Sequence, residues 1–100
     1  MNTYIIRRYN AWKNSQELEA TAARSMHVGN NEMTDRIRWI RSYVVQEADG
    51  TLGTVCVYQA TNADAIREHA RCVGMPADEI TCVENTVIIR TDPSETERAA

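Results

Sequence analysis

The residues of this 100-residue chain best suited to chemistry are His69, Cys72, Glu68, His27, Arg41 and Tyr58. His69 lies in a segment with helical spacing, at the border of a face formed by Ile66, Ala70 and Val73, so its imidazole can reach a space between helix and sheet. An imidazole there suits two tasks: ligating a divalent transition metal, or moving protons near neutral pH. The plain alternative is a histidine packed at the core edge and hydrogen-bonded to backbone. Cys72 follows three positions later and is therefore a helical neighbour that could share an ion with His69. Two donors do not make a site, so Glu68, a water or a group from a second subunit would have to complete it. His27 falls opposite Leu18 and Ser25 on its own helix, which points it to solvent, where it could meet a metal at a subunit contact.

A second constellation lies in residues 37–43, Ile-Arg-Trp-Ile-Arg-Ser-Tyr, a strand-like run loaded with aromatic and cationic side chains. Trp39, Arg41 and Tyr43 share one parity, and Tyr4 can approach them from the first strand. Such a set could line an aromatic pocket with a cation placed to hold a carboxylate or enolate oxygen. With His69 as acid/base and Arg41 or Tyr58 as charge stabiliser, an isomerase, cyclase or cofactor-free monooxygenase reaction on a small organic molecule is conceivable. In the competing reading Trp39 and Tyr43 are packing residues and Arg41 pairs with an acid.

The elements that must position these groups follow from local patterns. Residues 3–9, with Tyr4, Ile5 and Ile6, have the β-branched and aromatic character of a strand. Asn14 or Ser15 can cap a helix, with Glu17 in capping-box position, and Gly29 offers its stop. Leu18, Ala22, Ser25 and Met26 form its expected core face. Residues 36–45 are the second strand, Asp49 and Gly50 supply turn chemistry, and residues 54–60 return as the third. Thr61 or Asn62 opens a second helix that ends at Gly74, with Pro76 preventing continuation. Residues 80–90 form the last strand, with an interruption near residues 84–86.

Strand, helix, strand, strand, helix, strand is the ferredoxin-like βαββαβ order, an α+β fold with an antiparallel sheet and both helices on one face. One domain over residues 1–90 is expected, followed by a flexible polar tail over residues 91–100. The sheet face away from the helices also carries apolar residues, which two subunits would bury by packing sheet against sheet. A homodimer of the dimeric α+β barrel type is therefore expected.

Composition excludes several classes. With 43% hydrophobic and 25% charged residues and a formal net charge of −3, the chain is globular and lacks the positive field that nucleic acid requires. No stretch approaches the about 18 apolar residues of a membrane span. The first residues lack the pattern of a secretion signal, and Cys56, Cys72 and Cys82 are odd in number without CxxC spacing. A cytoplasmic protein with buried, reduced thiols is the expectation. No GxGxxG, P-loop, HExxH or GxSxG pattern supports nucleotide or familiar hydrolase chemistry.

Four segments together carry a family resemblance: Arg38-Trp39-Ile40-Arg41-Ser42-Tyr43-Val44, Cys56-Val57-Tyr58-Gln59-Ala60, Ala65-Ile66-Arg67-Glu68-His69-Ala70 and Gly74-Met75-Pro76-Ala77-Asp78-Glu79-Ile80-Thr81. Over roughly residues 3–84 the chain resembles the small actinobacterial-type nickel-binding proteins, formerly grouped only as a domain of unknown function. The resemblance implies a ferredoxin-like dimer that binds nickel or another divalent transition metal, with His69 as the leading ligand. Gln59 stands where relatives are expected to carry Glu, which removes an anionic ligand or base. Three readings remain open: a metal-binding protein, a small dimeric enzyme acting through His69, Arg41 and Tyr58, and a non-catalytic interaction module.

Overall fold

The computed structural model describes residues 1–94, so the expected tail falls largely on residues 95–100, outside the described residues. Its elements are β1 (Asn2–Trp12), α1 (Ser15–His27), β2 (Ile37–Gln46), β3 (Leu52–Ala60), α2 (Ala63–Val73) and β4 (Glu79–Cys82). The sheet is antiparallel in the order β2-β3-β1-β4, which is the ferredoxin-like arrangement.

Local chemistry sets the element ends. Asn14 caps α1 by accepting from Glu17 N at 3.0 Å, while the Glu17 carboxylate reaches back to Lys13 N at 3.0 Å. Asn62, rather than Thr61, caps α2 by accepting from Ala65 N at 2.9 Å. Gly74 ends α2 with a φ of 83°, the left-handed conformation that glycine adopts without a Cβ penalty. The Asp49-Gly50 turn joins β2 to β3 as expected.

Gly29 does not stop the first helix. The chain instead widens into a π turn over Val28–Glu32, and Gly29 is buried within it. Met26, expected in the core, is exposed, because the inward stripe of α1 runs through Thr21 and Ser25, with Val28 continuing it in the π turn. The last strand also departs from expectation. It spans only Glu79–Cys82, and residues 83–92 run beyond it as irregular chain against the outer sheet face.

The core lies between the helices and one parity of the sheet. Tyr4, Ile6 and Arg8 of β1 face the helices together with their cross-strand partners Tyr58, Cys56 and Thr54 of β3. Ile66, Ala70 and Val73 of α2 close over them as the helical spacing predicts. Burying Ile66 and Val73 contributes about 1.5–3 kcal/mol each, which helps hold α2 on the sheet.

Two irregularities decide which side chains meet. In β1 the register jumps from Arg8 opposite Thr54 to Trp12 opposite Leu52, so residues 9–11 bulge, with Asn10 at a φ of 48°. Gly53 lies under this bulge because a Cβ there would come within 2.5 Å of the Arg8 carbonyl oxygen. In β2 the register passes from Trp39 opposite Tyr58 directly to Arg41 opposite Val57, leaving Ile40 as an extra residue. Since side chains alternate with period two, one inserted residue reverses the faces of everything beyond it.

Candidate functional site

The Ile40 bulge separates the expected aromatic and cationic set. Trp39 points into the helix-covered face with Tyr58 and Tyr4, whereas Arg41 and Tyr43 lie on the outer face, where both donate to the Asp92 carboxylate at 3.1 and 2.7 Å. Pairing with Asp92 raises the Arg41 pKa further above its ordinary value. His69, Arg41 and Tyr58 therefore do not share one site: the sheet lies between Arg41 and the other two. The period-two reading of β2 failed at one residue, and the pocket drawn from it divides accordingly.

On the inner face the structure assembles a polar and aromatic cluster. The Trp39 ring stacks on Tyr58, with centroids 6.1 Å apart and planes at 9°, and the His69 ring tilts against the other side of the cluster at 5.5 Å from Tyr58. The hydroxyls of Tyr58 and Ser25 are 3.1 Å apart. His69 Nε2 lies 3.1 Å from the Ser25 carbonyl oxygen, an acceptor only, so Nε2 carries the proton. Nδ1 then holds the lone pair, and it is buried without a hydrogen-bond partner. Burial lowers the His69 pKa below 6.5, the Ser25 carbonyl opposes that shift, and the Arg8 charge adds to it, so the ring is neutral near pH 7. Burial likewise raises the Tyr58 phenol to about 12, which keeps its proton in place.

Beside this cluster lies a group that the sequence reading passed over. Arg8 is 1% exposed, with its Nε donating to the Pro76 carbonyl at 2.7 Å and its Nη1 to Cys56 Sγ at 3.2 Å. Ser42 donates to the same sulfur at 3.0 Å and accepts from the Trp39 indole at 2.8 Å. The alternation Tyr4, Ile6, Arg8 was the available signal, because it places an arginine on the buried parity of β1. Arg8, Trp39, Tyr58 and Ser25 border a cavity of about 160 Å³ between α1 and the sheet.

The other candidate ligands are elsewhere. Cys72 is exposed although it neighbours the buried His69 in sequence, because three helical positions turn it away from the core edge. Cys82 is exposed too, so only Cys56 fits the expectation of buried thiols. Glu68 pairs with Arg36, which holds its carboxyl below the usual carboxylate range. His27 is exposed and lies 3.8 Å from Glu32, its neighbour across the π turn. Among the described residues no three His, Cys, Asp or Glu side chains converge as metal ligands. The fit to a metal is thus partial: His69 offers one nitrogen with its other ring N–H held by a backbone carbonyl, as metal-ligating histidines commonly do, but among the described residues no group of three such donors forms around it.

Fold and site together define a small ferredoxin-like α+β domain with a buried imidazole and a cavity beside it. The chain belongs to the family described as nickel responsive protein SCO4226-like, which it matches over residues 4–83. Among solved structures, the crystal structure of SCO4226 from Streptomyces coelicolor A3(2) has the same fold, with a TM-score of 0.68 at 17% identity, covering 85% of this chain and 99% of that one. A search of curated proteins finds no match. No helix among the described residues is long and apolar enough to cross a membrane.

Proposed function

We propose that this protein binds nickel or a similar divalent transition metal in the cytoplasm, as a homodimer, with His69 as a nitrogen ligand. The observation that carries the reading is the state of the His69 ring: neutral, fixed in one tautomer by the Ser25 carbonyl, with an unpartnered lone pair on Nδ1. Membership of a family described as nickel responsive supports the choice of metal. Imidazole suits nickel, and the donors missing from one chain would come from water, a bound small molecule or the second copy.

The dimer is supported by the outer sheet face and the chain that runs over it. Ile5, Ile40 and Tyr43 are exposed there, and Val87, Ile88 and Ile89 are 80%, 69% and 82% exposed. Three consecutive large aliphatics in water are far from the scattered surface hydrophobes of an ordinary monomer. The enzyme reading that joined His69, Arg41 and Tyr58 on one substrate has no such support, since the sheet separates Arg41 from the others.

Calorimetric titration of tag-free protein with nickel tests the proposal. Stoichiometric binding is expected, weakened by about tenfold to a hundredfold in His69→Ala and unchanged in His27→Ala and Cys72→Ala. No binding, or unaltered binding by folded His69→Ala, refutes it.

A further inference from the structure

We propose that the cavity between α1 and the inner sheet face is a binding site for a small organic monocarboxylate, held by Arg8. The guanidinium is buried, yet among the described residues no carboxylate lies within 4.0 Å of it, whereas Arg7, Arg36, Arg41, Arg67 and His27 each have an acidic partner. An arginine carries its charge throughout a protein, and a buried charge without a counter-ion is costly. The two hydrogen bonds it makes, to the Pro76 carbonyl and the Cys56 sulfur, leave Nη2 without a partner.

A second donor waits beside it. Thr54 is the cross-strand partner of Arg8, is 3% exposed, and its hydroxyl is also buried without a partner. Cross-strand partners on one face stand about 5 Å apart at Cβ, so the two side chains leave the sheet next to each other. Both residues line the cavity. Two unsatisfied buried donors, one of them charged, against a wall shared with an apolar cavity are what an oxyanion with an apolar body would complete.

Size and charge narrow the ligand. The cavity, about 160 Å³, is close to the roughly 150 Å³ that accommodates a single benzene ring in a protein interior. Its walls are Trp12, Trp39, Tyr58 and Met75, with Leu18 and Ala22 on the helix side. One ring, or a short branched chain, therefore fits. Glu19, exposed on α1, also borders the cavity and disfavours a second negative charge, so a monocarboxylate suits better than a phosphate dianion. This site is distinct in its chemistry from the metal reading and does not depend on it.

Both tryptophans of the chain line the cavity, so their fluorescence and indole N–H resonances report on its contents. Benzoate and 3-methylbutanoate should perturb both signals and bind at least about tenfold more tightly than benzamide and 3-methylbutanamide, which keep the shape without the charge. Arg8→Met, which replaces the buried charge by a side chain of similar reach, should erase that preference. Ala22→Phe, which leaves Arg8 in place but fills the space, should abolish binding. The proposal is overturned if neither carboxylate perturbs the indoles, if acids and amides bind alike, or if folded Ala22→Phe binds benzoate as the wild type does. Should Arg8→Met fail to fold, the acid–amide comparison on the wild type and the Ala22→Phe result still decide it.

Discussion

His69 of α2 donates from Nε2 to the backbone carbonyl of Ser25 of α1 at 3.1 Å, a bond that ties the two helices together while the imidazole tilts against the Tyr58 ring at 5.5 Å. It satisfies a carbonyl and fixes the tautomer of a buried imidazole at once. The bond and the burial have consequences for both stability and ligation.

Protonating His69 would place a charge in a buried site beside Arg8, and its folded pKa lies below 6.5 mainly because of burial. The unfolded chain therefore binds more protons than the folded one between the two values. The stabilisation is fully present above the unfolded pKa and is lost as pH falls toward the folded one. Thermal unfolding between about pH 8 and about pH 5 should show the wild type losing more stability than His69→Gln, which retains an N–H donor without titrating. Parallel pH profiles for the two proteins would rule the assignment out.

Gly53 is held by geometry rather than by turn conformation. A Cβ would meet the Arg8 carbonyl at 2.5 Å and Arg7 Nη1 at 2.9 Å, where Arg7 also bonds Glu47 at 2.8 Å. Gly53→Ala should lower the unfolding free energy by about 2–3 kcal/mol, since backbone has to move. Denaturant titration checks this, and a change under about 0.5 kcal/mol would mean the bulge adapts freely.

The thiols should divide two to one. Cys72 and Cys82 are exposed, whereas Cys56 is 4% exposed and shielded by Arg8 and Ser42. An aromatic disulfide reagent should modify two thiols quickly in the native protein and the third only after unfolding. Three fast thiols would show that the inner face is open to solvent.

Sedimentation at micromolar concentration should give twice the 11.3 kDa chain mass. Ile88→Asp puts a charge among the exposed aliphatics of residues 87–89 and should shift the protein toward monomer without lowering its intrinsic fold stability. A monomeric wild type would remove the sheet-face interface from the account.

Most of the fold was legible because its signals are local. The caps at Asn14 and Asn62, the turn glycine Gly50 and the stop at Gly74 each act through neighbours in sequence. The inward face of α2, with Ile66, Ala70 and Val73, was equally plain from spacing. The end of α1 was not, since Gly29 has the composition of a stop but sits in a π turn whose buried position depends on packing against His69. The aliphatic run of residues 87–89 has strand character, yet the strand before it ends at Cys82, because pairing requires a neighbouring edge and not merely propensity.

The candidate site was half legible. Helical spacing alone placed His69 at the border of a core face, and the sequence by itself determined which elements exist, their order, and the antiparallel α+β class. Only the tertiary structure decided which side chains share a surface. Ile40 is an ordinary strand residue in composition, but as a bulge it sends Trp39 to the core and Arg41 to the far side of the sheet. Arg8 reads as one charge in a basic pair, yet its cross-strand match to Thr54 buries it beside a cavity. The reason is physical: propensity and capping act over a few residues, whereas register is settled between strands distant in the chain, and a slip of one residue exchanges the two faces.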